Sequence, residues 1–149
     1  MLNPFDDTYF MKRAFQEAEL AFEKNEVPVG AVIVSQNKII ARGHNLTETL
    51  NDVTAHAEMQ AFTAASDFLG GKYLKNCTLY VTLEPCQMCA GASYWAQIGK
   101  IVFGASDSLR GFEKYKTTLH PRTKVVKGIM EAECSLLLKR FFIEKRNLN

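Results

Sequence analysis

Residues 78–105 read TLYVTLEPCQMCAGASYWAQIGKIVFGA, and the fold turns on them. Thr78 to Leu83 has the apolar and β-branched content of a strand, and Cys86 to Ile98 the small and apolar residues of a buried helix. The Gly99-Lys100 junction separates that helix from Lys100 to Ala105, where Ile101, Val102 and Phe103 in series predict a strand covered on both faces. A strand, a helix and a strand in immediate succession require the helix to cover one face of a sheet.

The same units continue on either side. Upstream, Asp6 or Asp7 can cap a helix whose apolar residues Met11, Phe15, Ala18 and Phe22 carry it to about Asn25. Val29 to Val34 and Ile39 to Ala41, joined by turn residues from Ser35 to Lys38, read as a hairpin. From about Ala55, the residues Met59, Phe62, Ala65 and Leu69 form a second helical stripe that Gly70-Gly71 can stop. Downstream, Thr123 to Ile129 is a strand, and Glu131 to Lys145 a closing helix with Cys134, Leu137, Leu138 and Phe141 on its apolar side. Ser106 to Arg122 has no assignable period. The expected architecture is α/β, a mixed sheet of about five strands between two layers of helix.

With 149 residues, 47% of them hydrophobic, the chain can close one core but hardly two, so residues 1–149 are expected to form a single domain. Residues 1–12 lack the basic and apolar segments of a signal peptide, and no run of about eighteen apolar residues occurs. The protein is therefore expected in the cytoplasm, with Cys77, Cys86, Cys89 and Cys134 as free thiols able to bind metal. The net charge of +2 is unevenly placed, −4 over residues 1–107 and +6 over residues 108–149. Such a basic segment suits a phosphate backbone or, more plainly, a solvated helix face.

Two clusters stand where the chain enters a helix: Thr54-Ala55-His56-Ala57-Glu58 and Glu84-Pro85-Cys86-Gln87-Met88-Cys89. Cysteines three apart at a helix start put both sulfurs on one side, and the helix N-terminus favours the thiolate. His56, Cys86 and Cys89 supply three ligands to a tetrahedral zinc, leaving one position for water unless Cys77, Cys134, His44 or His120 fills it. Glu58 would face away from His56 on a regular helix. At a helix mouth, with His56 still non-helical, both side chains can approach one metal. A carboxylate beside zinc-activated water is what hydrolytic deamination needs. A lone Cys-x-x-Cys is also compatible with a redox pair, but that reading leaves His56 and Glu58 without a role. The joint pattern of His-x-Glu followed by Pro-Cys-x-x-Cys is the known signature of zinc deaminases, and that signature identifies the reaction class.

On these residues the chain resembles the cytidine deaminase-like superfamily, with its three-layer α/β/α fold, and within it the bacterial tRNA adenosine deaminases. The likeness extends to Glu26-Val27-Pro28-Val29-Gly30-Ala31, to Tyr80 through Ala92 and to Ile101-Val102-Phe103-Gly104-Ala105. It implies one zinc ion per chain and deamination of adenosine to inosine at the tRNA wobble position. Activated water would attack C6, with Glu58 shuttling protons. It also implies base contacts from Asn45 and from the Ala57 backbone, a homodimer, and an anticodon-loop contact through Phe141, Phe142, Lys145 and Arg146. Asn45 can otherwise be a strand-ending turn residue, and the two phenylalanines can simply pack the last helix.

The chain departs from the tRNA group at Ser108 to Tyr115 and at Leu119 to Arg122, while Tyr94-Trp95-Ala96 resembles free-base guanine deaminases of the same superfamily. A free-base or nucleoside deaminase, of guanine or cytosine type, is thus the alternative of the same chemistry. A non-catalytic zinc module that binds nucleic acid is the alternative from another class.

Overall fold

The computed structural model describes residues 3–147. Met1, Leu2, Leu148 and Asn149, the ends of the expected 1–149 domain, lie outside the described residues.

Helix α1, Asp7–Glu23, starts where the Asp6 carboxylate accepts the Tyr9 N–H. Strands β1, Gly30–Ser35, and β2, Lys38–His44, form the expected hairpin, and Gln36 and Asn37 both take positive φ in its two-residue turn. Helix α2, Ala57–Leu69, ends on Gly70 in the left-handed conformation. Then follow β3, Thr78–Leu83; α3, Gln87–Ala96; β4, Lys100–Ala105; β5, Lys124–Lys127; and α4, Glu131–Asn147.

The five strands make one mixed sheet in the order β2-β1-β3-β4-β5. β1 is antiparallel to β2 and β3, while β3, β4 and β5 run parallel. The period-two alternation of strands sorts the core onto two faces. Ala31, Ile33, Leu79, Val81, Ile101 and Phe103 pack with α2 and α3, whereas Val32, Val34, Tyr80 and Val102 pack with Phe10, Met11 and Ala14 of α1. The three-layer α/β/α architecture is the expected one.

Three details differ from expectation. The sheet-facing side of α1 is Phe10, Met11, Ala14, Ala18 and Ala21; Phe15 and Phe22 are only half-buried. Phe22 turns toward α4, its ring 5.9 Å from that of Phe141. β2 extends to His44, which brings Asn45 to the end of the sheet. β5 is shorter than expected because Gly128 and Met130 adopt positive φ and take the chain out of the sheet toward α4. Ser106 to Arg122 contains turns and no helix or strand.

Candidate active site

Helices α2 and α3 begin side by side at the end of the sheet, and in both the first residue outside the helix carries a potential metal ligand. His56 is the N-cap of α2 and Cys86 that of α3; both have extended backbones and neither side chain caps its own helix. With His56 outside the helical repeat, Glu58 at the second helical position shares its side of the helix mouth. Cys89 occupies the third position of α3 and is buried.

The Nδ1 of His56 lies 3.5 Å from Cys86 Sγ and 3.6 Å from Cys89 Sγ, and all three donor atoms fall within 4.8 Å of one another. A tetrahedral ion with Zn–S of about 2.3 Å and Zn–N of about 2.0 Å separates nitrogen from sulfur by about 3.5 Å, so the arrangement fits zinc. Among the described residues, no fourth histidine, cysteine or carboxylate joins the cluster. His44 is engaged by Glu17 and Lys24, and His120 packs near Tyr94. Cys77 and Cys134 are buried outside the cluster. The donor set is therefore the open, three-ligand kind that leaves a position for solvent.

The electrostatics agree. A hydrogen bond from Cys89 and, after the opposing effect of burial, one from His56 bring the Cys86 thiol down to about 4, so it is a thiolate at neutral pH. The Cys86 partner raises the His56 imidazole, and the same cluster together with burial pushes Cys89 far up. Burial pushes the Glu58 carboxyl up to about 7, with the Cys86 thiolate adding to the shift and His56 opposing it. A carboxyl poised there can both take and give a proton.

These groups open into a cavity of about 270 Å³ whose walls include Val29, Asn45, Thr47, Leu83 and Arg110. That size suits a single nucleobase, being just below the roughly 300–1,000 Å³ of pockets for drug-sized ligands. Asn45 Oδ1 accepts the Ala57 N–H at 2.8 Å. The Ala57 N–H, expected to meet the base, is thus engaged by Asn45, whose amide nitrogen keeps its donors for another partner.

Two buried carboxylates organise the pocket walls. Their roles are not apparent in the sequence, because their partners are distant backbone amides. Glu26 is wholly buried and accepts from Glu48 N at 3.1 Å, from Thr49 N at 2.7 Å and Thr49 Oγ1 at 2.6 Å, and from Thr47 Oγ1. Burial pushes its carboxyl up, but these bonds outweigh burial and hold it below the usual range. Glu84 Oε1 accepts Asp107 N at 2.9 Å and its Oε2 accepts Glu113 N at 3.0 Å. Gly111 lies so close to that carboxylate that a Cβ there would overlap it. The one sequence cue was an acidic residue directly beside an apolar strand or strand entry, at Glu26-Val27 and at Leu83-Glu84.

The expected anticodon-loop residues separate. Phe141 is buried against Phe22 and Phe142 and cannot stack on a base, so its expected RNA contact is corrected to a packing role. Phe142, Lys145 and Arg146 are exposed along the last turns of α4 and are not among the residues that line the pocket.

The family described as the cytidine and deoxycytidylate deaminase zinc-binding region matches residues 5–105. The tRNA-specific adenosine deaminase of Aquifex aeolicus is 48% identical over 145 residues, covering 93% of this chain and 95% of its own. That of Bacillus subtilis is 46% identical over 146 residues, covering 94% and 91%. A solved structure from work on A-to-I editing by tRNA:A34 deaminases superposes with a TM-score of 0.80 at 41% identity, over 87% of this chain and 99% of that one.

Proposed function

The chain belongs to the cytidine and deoxycytidylate deaminase zinc-binding family, and from that premise we propose that it hydrolytically deaminates adenosine to inosine at the wobble position of a tRNA anticodon. The observation that carries the chemistry is the convergence of His56, Cys86, Cys89 and Glu58 at two adjoining helix mouths, open to one base-sized cavity. Near-full-length identity to tRNA-specific adenosine deaminases supports the substrate.

In this reading His56, Cys86 and Cys89 hold the zinc. When bound, zinc supplies the Lewis acidity that makes water a nucleophile near neutral pH, bringing its pKa toward ~7. Asn45, held by Ala57, orients the purine with its amide nitrogen. Glu58 takes the proton that water releases as its oxygen adds to C6, and delivers it to the ring nitrogen. Glu58 then moves the remaining proton from the new C6 hydroxyl to the amino group, which leaves as ammonia while the C6 carbonyl of inosine forms. Burial of Glu58 keeps bulk solvent from competing for either proton.

Phe142, Lys145 and Arg146 are proposed as RNA contacts at the end of α4, a homodimer as the working assembly, and the cytoplasm as the place of action. No helix among the described residues is long and apolar enough to cross a membrane.

The test is release of ammonia from a wobble-adenosine stem-loop, measured beside guanine, cytosine and adenosine. Inosine at the wobble position with slower turnover of the small molecules is the expected result. Efficient turnover of guanine or cytosine with none of the RNA would establish the free-base alternative. Inactivity on every substrate by zinc-loaded protein would favour a binding module.

A further inference from the structure

Ser106 to Thr117 has no regular structure, yet it is tightly held where it passes the pocket. Besides the two bonds to Glu84, Phe112 N donates to Pro85 O at 2.9 Å and Gly111 N to Asp107 O at 2.9 Å. The Asp107 carboxylate accepts Leu109 N at 3.1 Å and Arg110 N at 3.0 Å. Phe112 is buried with its ring 6.0 Å from that of Phe103, edge to face. Through the bond from Phe112 to Pro85 the backbone at Gly111 pairs antiparallel with the backbone at Cys86, beside the metal ligand.

Arg110 projects from this fixed frame and lines the pocket while remaining exposed. Apart from His56, it is the only basic side chain among the lining residues. Among the described residues no carboxylate lies within 4.0 Å of its guanidinium, and no hydrogen bond engages it. The pocket interior has the opposite character. Glu58 and Glu84 are buried there, and both oxygens of Glu84 serve the loop. With the charge of a bound zinc offset by the two cysteine sulfurs, these carboxylates disfavour an anion in the interior, whereas a neutral base is accepted. A free guanidinium at the mouth is matched in geometry and charge to a phosphate.

We propose that Arg110 binds a phosphate flanking the target nucleotide, so that the pocket sorts the substrate by charge: neutral base inside, phosphodiester on Arg110. The assignment rests on the RNA reading above. The hydrogen bonds of the loop hold the backbone that carries Arg110, so binding has only its side chain to order.

The experiment compares wild type, Arg110→Ala, Arg110→Lys and, as a distant cationic control, Lys38→Ala on the hairpin. Each is zinc-loaded and acts on the wobble-adenosine stem-loop across a range of salt. A second substrate carries neutral methylphosphonate linkages on both sides of the target adenosine. Arg110→Ala is expected to raise KM about tenfold with kcat little changed, the loss of a charge-assisted contact. The slope of log(1/KM) against log salt should become shallower by about 0.7, one single-strand phosphate. Arg110→Lys should fall between, Lys38→Ala should match wild type, and the neutral linkages should raise KM for wild type but hardly for Arg110→Ala.

Equal KM and slope for wild type and Arg110→Ala, or equal losses from the neutral linkages in both, would overturn the assignment while leaving the RNA reading intact. Failure of wild type itself to deaminate the stem-loop would remove the RNA reading and the assignment with it. Arg110 is exposed, so unchanged zinc content and melting temperature are expected of its variants.

Discussion

The side-chain oxygen of Asn45 accepts the backbone N–H of Ala57 at 2.8 Å, which ties the end of β2 to the first residue of α2. One end of the Asn45 amide is thereby fixed by the helix that carries Glu58, and the other is free for the base contact proposed above. Asn45→Asp keeps an acceptor for Ala57 but removes the donors, whereas Asn45→Ala removes both. We expect kcat/KM to fall by roughly 10–100-fold in either, and only Asn45→Ala to lower the melting temperature. Steady-state kinetics beside thermal unfolding would show this; unchanged kcat/KM in Asn45→Asp would exclude a base contact.

Glu58→Gln preserves volume and removes the proton carrier. Turnover should fall by about 10²–10⁴-fold, the range for general acid–base catalysis, while the chain retains one zinc. Metal analysis and single-turnover kinetics on one preparation check both halves of the prediction.

Zinc content should follow the cluster and not the cysteine count. Cys86→Ala and Cys89→Ala should lose both bound zinc and activity, and Cys77→Ala and Cys134→Ala should keep the metal, because those thiols lie outside the cluster. Elemental analysis of the four proteins decides it.

Phe141 and Phe142 are neighbours with opposite expected phenotypes. Phe141→Ala empties a buried ring site and should cost about 3–5 kcal/mol of stability. Phe142 is half exposed, so Phe142→Ala should barely alter unfolding yet weaken RNA binding by about 1–3 kcal/mol if its ring stacks on a base. Denaturant titration and an RNA-binding isotherm separate the two.

Glu26 supplies a pH signature. Its folded carboxyl titrates below the ordinary 4.5, so its charged form stabilises the protein above that value, and the contribution is lost as pH falls through the lowered value. Glu26→Gln should therefore cost about 2 kcal/mol at neutral pH. The gap from wild type should narrow in acid below about 4.5, whereas a charge-independent packing defect would leave it constant. Urea unfolding at several pH values measures it.

Legibility in the sequence followed the range of the forces involved. β3 and β4 could be read to the residue because their alternation and bounding residues are local. His56, Cys86 and Cys89 could be read because metal ligation restricts residue type and spacing together. The α1 stripe was blurred because the helix has two apolar sides, one on the sheet and one meeting α4 through Phe22 and Phe141. β5 was overextended because Gly128, a residue that a strand can also contain, takes positive φ and ends the strand after Lys127. Ser106 to Arg122 could not be read because its shape near the pocket is imposed by Glu84, more than twenty residues earlier in the chain.

His56 and Cys86 stand where a residue would ordinarily bond to its own helix's free amides, an interaction worth about 1 kcal/mol in each case. By turning toward each other, these side chains leave their own helix starts uncapped, with Asn45 the one side chain bonded to the first amide of α2, and make the ion the clasp between them. Metal supply then governs how long the protein endures as well as how fast it turns over, because withdrawing the ion loosens both starts at once.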